Sequence, residues 1–297
     1  MHVFVTGATG WIGTAVVEEL RGAGHSVVGL ARSEASAAAL TAAGVEVQRG
    51  SLEDHESLHA AATASDAVVN LAFDHDFTRF AESGAAESRA IETLAAALAG
   101  TQKPLAVASG VAFLPSGRLV TEDDVRDASV PFPRDPEGAA AAAATRGVRV
   151  SVVRLSPSVH GAGERHGFVP IVIGAARTRG ISGYVGDGQN RWPGVHRRDA
   201  ARLFRLAIER AAPHGVYHAT ADEGVPYREI AEIIGRRLNV PAVSLTGAQA
   251  EEHFGPFVRF AQIDVRASSA RTQQALGWKP TEPTLLEDLD SAAYFPA

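Results

Sequence analysis

The chain of 297 residues has no cysteine, which excludes disulfides, thiolate metal sites and a thiol nucleophile. Lysine is nearly absent, with Lys103 and Lys279 alone, and aromatic residues make up only 6%. No run approaches roughly eighteen uninterrupted apolar residues, and the start, MHVFVTGATG, lacks a basic segment before its apolar stretch. A membrane span and a secretory leader are therefore not expected, and the reading is a cytoplasmic protein without a membrane partner. The net charge of −6 and pI near 6.0 leave no cationic surface for nucleic acid. A small-molecule partner is expected. Oligomeric state is not legible.

What the chain does have is enough apolar content, 45%, for a large core. Over the first 110 residues, short β-branched runs (HVFVT, SVVGLA, VEVQRG, DAVVNLA, PLAVAS) alternate with helical stretches of about ten or more residues. This predicts an α/β fold, a doubly wound parallel sheet. A helix at 137–146 and a strand at 148–155 continue the alternation. After Pro157 the texture changes to Gly- and Pro-rich loops between isolated helices at about 168–179, 199–211, 226–238 and 247–254. The predicted organisation is a nucleotide-binding Rossmann domain over 1–160, continuing through about 195–220, interleaved with a smaller, mostly helical substrate lobe over 161–297.

TGATGWIG, from Thr6 to Gly13, follows a strand and opens a helix. Gly7 permits the turn, Gly10 allows a pyrophosphate close to the backbone, and Gly13 lets the helix pack on the strand; the helix N-terminus then faces the diphosphate charge. Thr9, Trp11 and Ile12 complete the loop. The second strand ends GLARSEAS. Arg32 and Ser33 occupy the place where an acid would grip a ribose 2′-hydroxyl, and a guanidinium with a hydroxyl suits a 2′-phosphate, so NADP(H) is expected.

The TGxxGxxG spacing, with GSLED after the third strand, NLAF ending the fourth, ASGVAFL ending the fifth, RLSPSVHGAG after the sixth, and NRWPGVHRRDAARLF and RTQQALGWKP beyond, resembles the extended short-chain dehydrogenase/reductase family. The resemblance implies cofactor contacts from Gly7, Gly10, Trp11, Ile12 and Gly13 around the pyrophosphate, with Thr9 beside them, Ser51 and Leu52 near the adenine, Leu71, Ala72 and Phe73 near the ribose, and Leu155, Pro157 and Ser158 near the carboxamide. It also places NRWPGVHRRDAARLF as a strand and helix of the substrate lobe. Ser51 departs from the usual aspartate.

The larger departure is chemical. The family's Tyr-x-x-x-Lys is absent: none of the four tyrosines, Tyr184, Tyr217, Tyr227 and Tyr294, has a lysine four residues later. In PFPRDPEG the pattern falls on Pro133 and Glu137. Pro133 has no polar side-chain group with which to act as an acid. Ser109 matches the family's serine, and His75, between Asp74 and Asp76, is a candidate donor with a raised pKa. His160 and His196 read as packed structural histidines, Asp199 as a helix cap, and no group of residues has convincing metal-ligand spacing.

Phe168, Val169, Ile171, Trp192, Phe254, Phe257 and Phe260 are available to line an apolar cleft. Together with the missing tyrosine they resemble the atypical extended ketoreductases that tailor aromatic polyketides, which implies NADPH-dependent reduction of a ring carbonyl on an angucyclinone-type molecule. Two alternatives stand beside it: a dinucleotide-sensing protein without turnover, and a sugar-nucleotide epimerase or dehydratase whose diphosphate Arg191, Arg197 and Arg198 would hold.

Overall fold

A computed structural model describes residues 1–115, 117–127, 129 and 132–295, with the side chains of Phe77 and Phe113 left out of the description. The strands are β1 His2–Thr6, β2 Ser26–Ala31, β3 Glu46–Arg49, β4 Ala67–Asn70, β5 Leu105–Gly110, β6 Leu119–Val120, β7 Val150–Leu155, β8 Ser158–His160, β9 Ser182–Val185, β10 Arg191–His196, β11 Val216–Ala219, β12 Asp222–Pro226, β13 Ala242–Leu245 and β14 Arg266–Ala267. The helices are α1 Trp11–Gly22, α2 Glu34–Ala42, α3 His55–Ala64, α4 Phe80–Leu98, α5 Pro136–Thr145, α6 Phe168–Arg179, α7 Arg197–Arg210, α8 Tyr227–Leu238, α9 Gly247–Phe254, α10 Val258–Ala261, α11 Ala270–Leu276 and α12 Leu285–Leu289.

The fold is the doubly wound α/β sheet that the alternation predicts. Seven parallel strands run in the order β11-β7-β5-β4-β1-β2-β3, so the chain reverses direction across the sheet between β1 and β4. Such a switch point opens a crevice at the carboxyl ends of its strands. One face buries α1 and α7 through Val16, Leu20, Leu203, Phe204 and Ala207. The other buries α3, α4 and α5 through Leu58, Ile91, Leu94, Ala139, Ala140 and Ala143.

Helix α5 explains the alanine tract. Asp135 caps it by accepting from the Gly138 N–H at 3.1 Å, and Pro136 stands in its first turn, where a missing N–H costs nothing. Small residues then let it lie close to the sheet and α4.

Helix α7 differs from the expectation in two ways. It begins at Arg197 and is capped by His196, whose Nδ1 accepts from the Arg198 N–H at 3.3 Å. Asp199 lies inside the first turn, fully buried, and accepts from the Thr281 and Glu282 N–H groups and from Arg202. The helix packs on the large sheet, within the span of about 195–220 over which the Rossmann domain is expected to continue, because Ala200, Ala201, Leu203 and Phe204 form one apolar face against α1. The remaining strands form smaller sheets, β12-β10-β8, β13-β9 and β14-β6, around a third core that includes Trp192, Tyr227, Ile230 and Phe254. Among the described residues no helix is long and apolar enough to cross a membrane.

Candidate active site

At the switch point, Thr6 ties the two central strands together. Its Oγ1 donates to Asn70 Oδ1 at 2.7 Å and accepts from the Leu71 and Ala72 N–H groups at 3.2 Å. The chain after β1 is thus pulled against the end of β4, and only glycine fits between them. Gly7 has φ +66°, and a Cβ there would lie 2.9 Å from the Ala72 nitrogen. A Cβ on Gly13 would lie 1.9 Å from the Gly7 carbonyl oxygen. Gly10 caps α1 with no side-chain bond, and no acid stands in the first turn, so the first N–H groups and the positive end of the helix dipole remain available. A tight glycine cradle that opens onto an uncapped helix N-terminus fits a dinucleotide diphosphate.

Thr9 is exposed beside that N-terminus and Ile12 packs into the first core. Trp11 is engaged elsewhere. Its Nε1 donates to the Val159 carbonyl at 2.7 Å, and the Arg197 guanidinium lies 4.1 Å over its ring while donating to Thr14 Oγ1 at 3.1 Å. The side chain braces the glycine loop against β8, leaving its main chain for a phosphate.

At the outer edge, Arg32 is exposed in a shallow depression shared with Glu34, Arg49, Gly50, Ser51 and Asp54. Ser33 caps α2: its Oγ accepts from the Ser36 N–H at 3.1 Å, and Ser36 Oγ accepts from the Ser33 N–H in return. Glu34 is paired with Arg49 at 2.7 Å. Ser51 Oγ accepts from the Glu53 N–H at 3.2 Å and Leu52 packs into the second core, so both sit in the turn after β3.

The inner edge is built from side chains. Arg154, fully buried on β7, grips Glu137 with Nε to Oε1 at 2.8 Å and Nη2 to Oε2 at 2.7 Å. Ser109, at the end of β5, donates its hydroxyl hydrogen to Glu137 Oε1 at 2.7 Å. Behind them His218 lies 3.3 Å from Arg154 Nη1, with its other ring nitrogen 2.8 Å from the Ser268 carbonyl. Burial acts to raise the Glu137 carboxyl, but the hydrogen bonds from Arg154 and Ser109 and the Arg154 charge outweigh it and hold the group below its usual range. Glu137 is therefore an anion neutralised by Arg154, at the position where the resemblance puts a cation. Its partner, Arg154, comes from β7, while Glu137 itself stands in the first turn of α5.

His75 departs from expectation. Its pKa is lowered, first by burial of its inner side and then by the charge of Arg134, so a raised value sustained by Asp74 and Asp76 is not what the structure gives. Asp76 caps the next turn instead, accepting from the Thr78 N–H at 3.0 Å. The His75 ring stands edge-on to Phe73, with centroids 5.0 Å apart, and Phe80 and Phe132 extend the aromatic cluster. Pro133 is exposed next to them.

Further along the crevice, Leu155 and Pro157 are half-buried, and Ser158 is buried with its hydroxyl unpartnered among the described residues. A polar group orphaned where the carboxamide is expected is a second point of fit for the dinucleotide.

The apolar residues predicted to line a cleft divide into two sets. Val169, Trp192 and Phe254 are core. Phe168, Phe257 and Phe260 are half-buried and in mutual ring contact, with Phe168 at 5.1 Å from Phe257 and 5.2 Å from Phe260, and Ile171 is exposed. The arginines predicted for a diphosphate are dispersed: Arg197 lies on Trp11, Arg191 reaches the Gly224 carbonyl, and Arg198 lies 3.9 Å from Glu282. His160 is buried and paired with Asp288 at 2.9 Å, within a polar cluster under β8 and α12 where Tyr294 donates to Glu164 at 2.6 Å. Burial, followed by the Asp288 charge, pushes the Glu164 carboxyl up to about 7 against that hydrogen bond. No cluster suited to a metal occurs among the described residues.

Comparison with known proteins agrees with this geometry. The model of the NAD dependent epimerase/dehydratase family matches residues 3–125. An uncharacterized protein of Schizosaccharomyces pombe is 47% identical across 99% of this chain and 100% of its own length. The 3-diazoavenalumate denitrifying reductase of a Streptomyces species is 31% identical over 97% of this chain and 99% of its own. The solved structure of MoeE5 in complex with UDP-glucose and NAD has the same fold, with a TM-score of 0.76 and 23% identity over 99% of this chain and 97% of that one. Glycine cradle, sheet order and full-length relatives converge, and the chain belongs to the NAD-dependent epimerase/dehydratase family of extended short-chain dehydrogenases/reductases.

Proposed function

We propose that the protein is an NADPH-dependent ketoreductase that acts on a ring carbonyl of a flat, hydrophobic molecule of the aromatic polyketide type, with the proton supplied by the substrate. The observation that carries the reading is the commitment of the site's own acids: the acid position is Pro133, and Ser109 turns its hydrogen toward a Glu137 carboxylate that Arg154 keeps ionised. Gly7, Gly10, Gly13 and the α1 N-terminus would hold the diphosphate, Arg32 the 2′-phosphate, and Ser158 the carboxamide. When bound, the reduced dinucleotide supplies a hydride to an electrophilic carbon.

The chain's residues fit a substrate that brings its own donor. With its hydrogen engaged, Ser109 Oγ is left as an acceptor, which suits a substrate hydroxyl. A phenol beside the ring carbonyl has a pKa near that of the absent tyrosine, about 10, and needs no ordering by the protein. Phe73, Phe80, Phe132, Phe168, Phe257 and Phe260 supply apolar and aromatic surface, and the dispersal of Arg191, Arg197 and Arg198 disfavours a sugar nucleotide. That the Streptomyces relative is named a reductase supports reduction over epimerisation.

The test compares an aromatic ring ketone that carries an adjacent phenol with its methyl ether. The phenol is expected to be reduced with NADPH in both wild type and His75→Ala, while the ether binds and is turned over at most slowly. Equal rates for the two would overturn the substrate-assisted route, and dinucleotide binding without turnover of either would favour a sensor.

A further inference from the structure

If the acid has gone, the negative charge that develops on the carbonyl oxygen still needs a partner. The residue directly after the empty acid position is Arg134. Its side chain is held on two sides. On one edge, Nε and Nη2 grip the buried Glu87 of α4 at 2.8 and 2.7 Å. On one face, the guanidinium carbon lies 4.2 Å over the ring of Phe73, which follows Leu71 and Ala72 beyond the end of β4. Gly84 makes this possible, because a Cβ there would lie 2.3 Å from the Pro133 carbonyl oxygen, and its absence lets α4 receive the loop.

The remaining nitrogen, Nη1, has no partner among the described residues and is not sealed from solvent, and the side chain is 15% exposed. A guanidinium anchored at one edge, backed by an aromatic ring and open at the other edge is a preorganised donor.

We infer that Arg134 is a catalytic residue, the donor that holds the substrate oxygen while it carries negative charge, and that the ligand it selects is a hydroxyaromatic or other conjugated oxyanion. The inference rests on the ketoreductase reading for its chemistry, but the anion site stands on the geometry alone. Guanidinium does not give up its proton at any ordinary pH, so Arg134, its charge shared with Glu87, contributes a fixed hydrogen bond while the substrate phenol contributes the proton. As the carbonyl carbon gains its hydrogen as hydride, the C=O π pair settles on oxygen. Nη1 donates to that oxygen until the neighbouring phenol O–H breaks and its proton arrives, and water reprotonates the phenolate left behind. The arrangement differs from a tyrosine acid in what it selects: it favours an anion that can persist.

The experiment uses 4-nitrophenol, whose phenolate absorbs differently from the phenol, titrated while bound to the full-length protein. In the wild type the bound probe is expected to ionise about one pH unit below the free probe, a tenfold preference for the anion. Arg134→Lys should keep part of that shift and Arg134→Met should lose it. Because Arg134→Met leaves the Glu87 carboxylate buried and unpaired, the double variant Arg134→Met/Glu87→Met is measured beside it, and it should also lose the shift while keeping a wild-type melting profile. With a reducible ketone, the loss of this donor should lower kcat about 10²- to 10³-fold with little change in dinucleotide affinity. An unshifted probe in the wild type, an equal shift in the variants, or no binding of the probe would overturn the inference. A shift that persists in a protein that reduces no ketone would instead refute the ketoreductase reading and leave the anion site in place.

Discussion

Along the carboxyl edge of the sheet, the stretch around β1, β2 and β3 and the stretch around β4, β5 and β7 are built differently. The first is defined by backbone: Gly7, Gly10 and Gly13 at close approach, an uncapped helix N-terminus, and side chains such as Ser33 and Ser51 folded back on their own turns. The second is defined by charged side chains locked in pairs, Glu137 with Arg154 and Glu87 with Arg134. A diphosphate makes the same demand of any protein that binds it, and backbone meets that demand. The chemistry at the inner edge can be reassigned by exchanging pairs, provided that each buried charge keeps a partner.

The comparison can be broken most severely at Gly13. Gly13→Val should abolish dinucleotide binding and destabilise the fold, because its Cβ would occupy the space of the Gly7 carbonyl 1.9 Å away. Fluorescence titration with NADPH beside thermal melting would check both, and an undisturbed variant would mean that the cradle is not rigid.

The inner edge should fail differently. Arg154→Met leaves Glu137 without its counter-charge and is expected to cost about 3–5 kcal/mol in urea unfolding, whereas Arg154→Met/Glu137→Met should recover most of it. The pair also predicts a pH dependence. Glu137 has a folded pKa below its ordinary 4.5, so its contribution to stability is present above that pH and is lost as pH falls through the lower folded value. Melting temperatures of wild type and Glu137→Gln should therefore converge on acidification below 4.5.

Smaller effects sharpen the outer edge. Arg32→Ala should weaken NADPH by about 1.5–3 kcal/mol, the worth of one charged hydrogen bond, and leave NADH unchanged in a binding titration. Ser33→Ala should instead cost about 1 kcal/mol of stability with the cofactor preference intact, because its hydroxyl serves the helix cap.

The same division explains what the sequence made legible. The glycine loop is visible because its constraints are local: a strand, a turn that admits no side chain and a helix follow one another in eight residues, Thr6 to Gly13. Pro133 and Glu137 are visible as departures. Their consequences are not, since the guanidinium that neutralises Glu137 comes from β7, and His75 is depressed by burial and then by a guanidinium from the loop before α5. Arg154 is the one charged residue of β7, and its partner becomes evident only when β5, β7 and α5 are packed. Asp199 misled for a related reason: a capping residue type near a helix start was serving a turn from the far end of the chain.

Trp11 stands in the first turn of α1, yet its indole is fastened to the Val159 carbonyl of β8 and covered by Arg197. A ligand that settles the glycine loop is therefore expected to settle β8 with it. Linkage of this kind is reciprocal, so a substrate that steadies β8 must tighten the hold on the dinucleotide by the same factor. The measurement that reads it is a pair of binding titrations, in which substrate should change dinucleotide affinity by the same factor as dinucleotide changes substrate affinity.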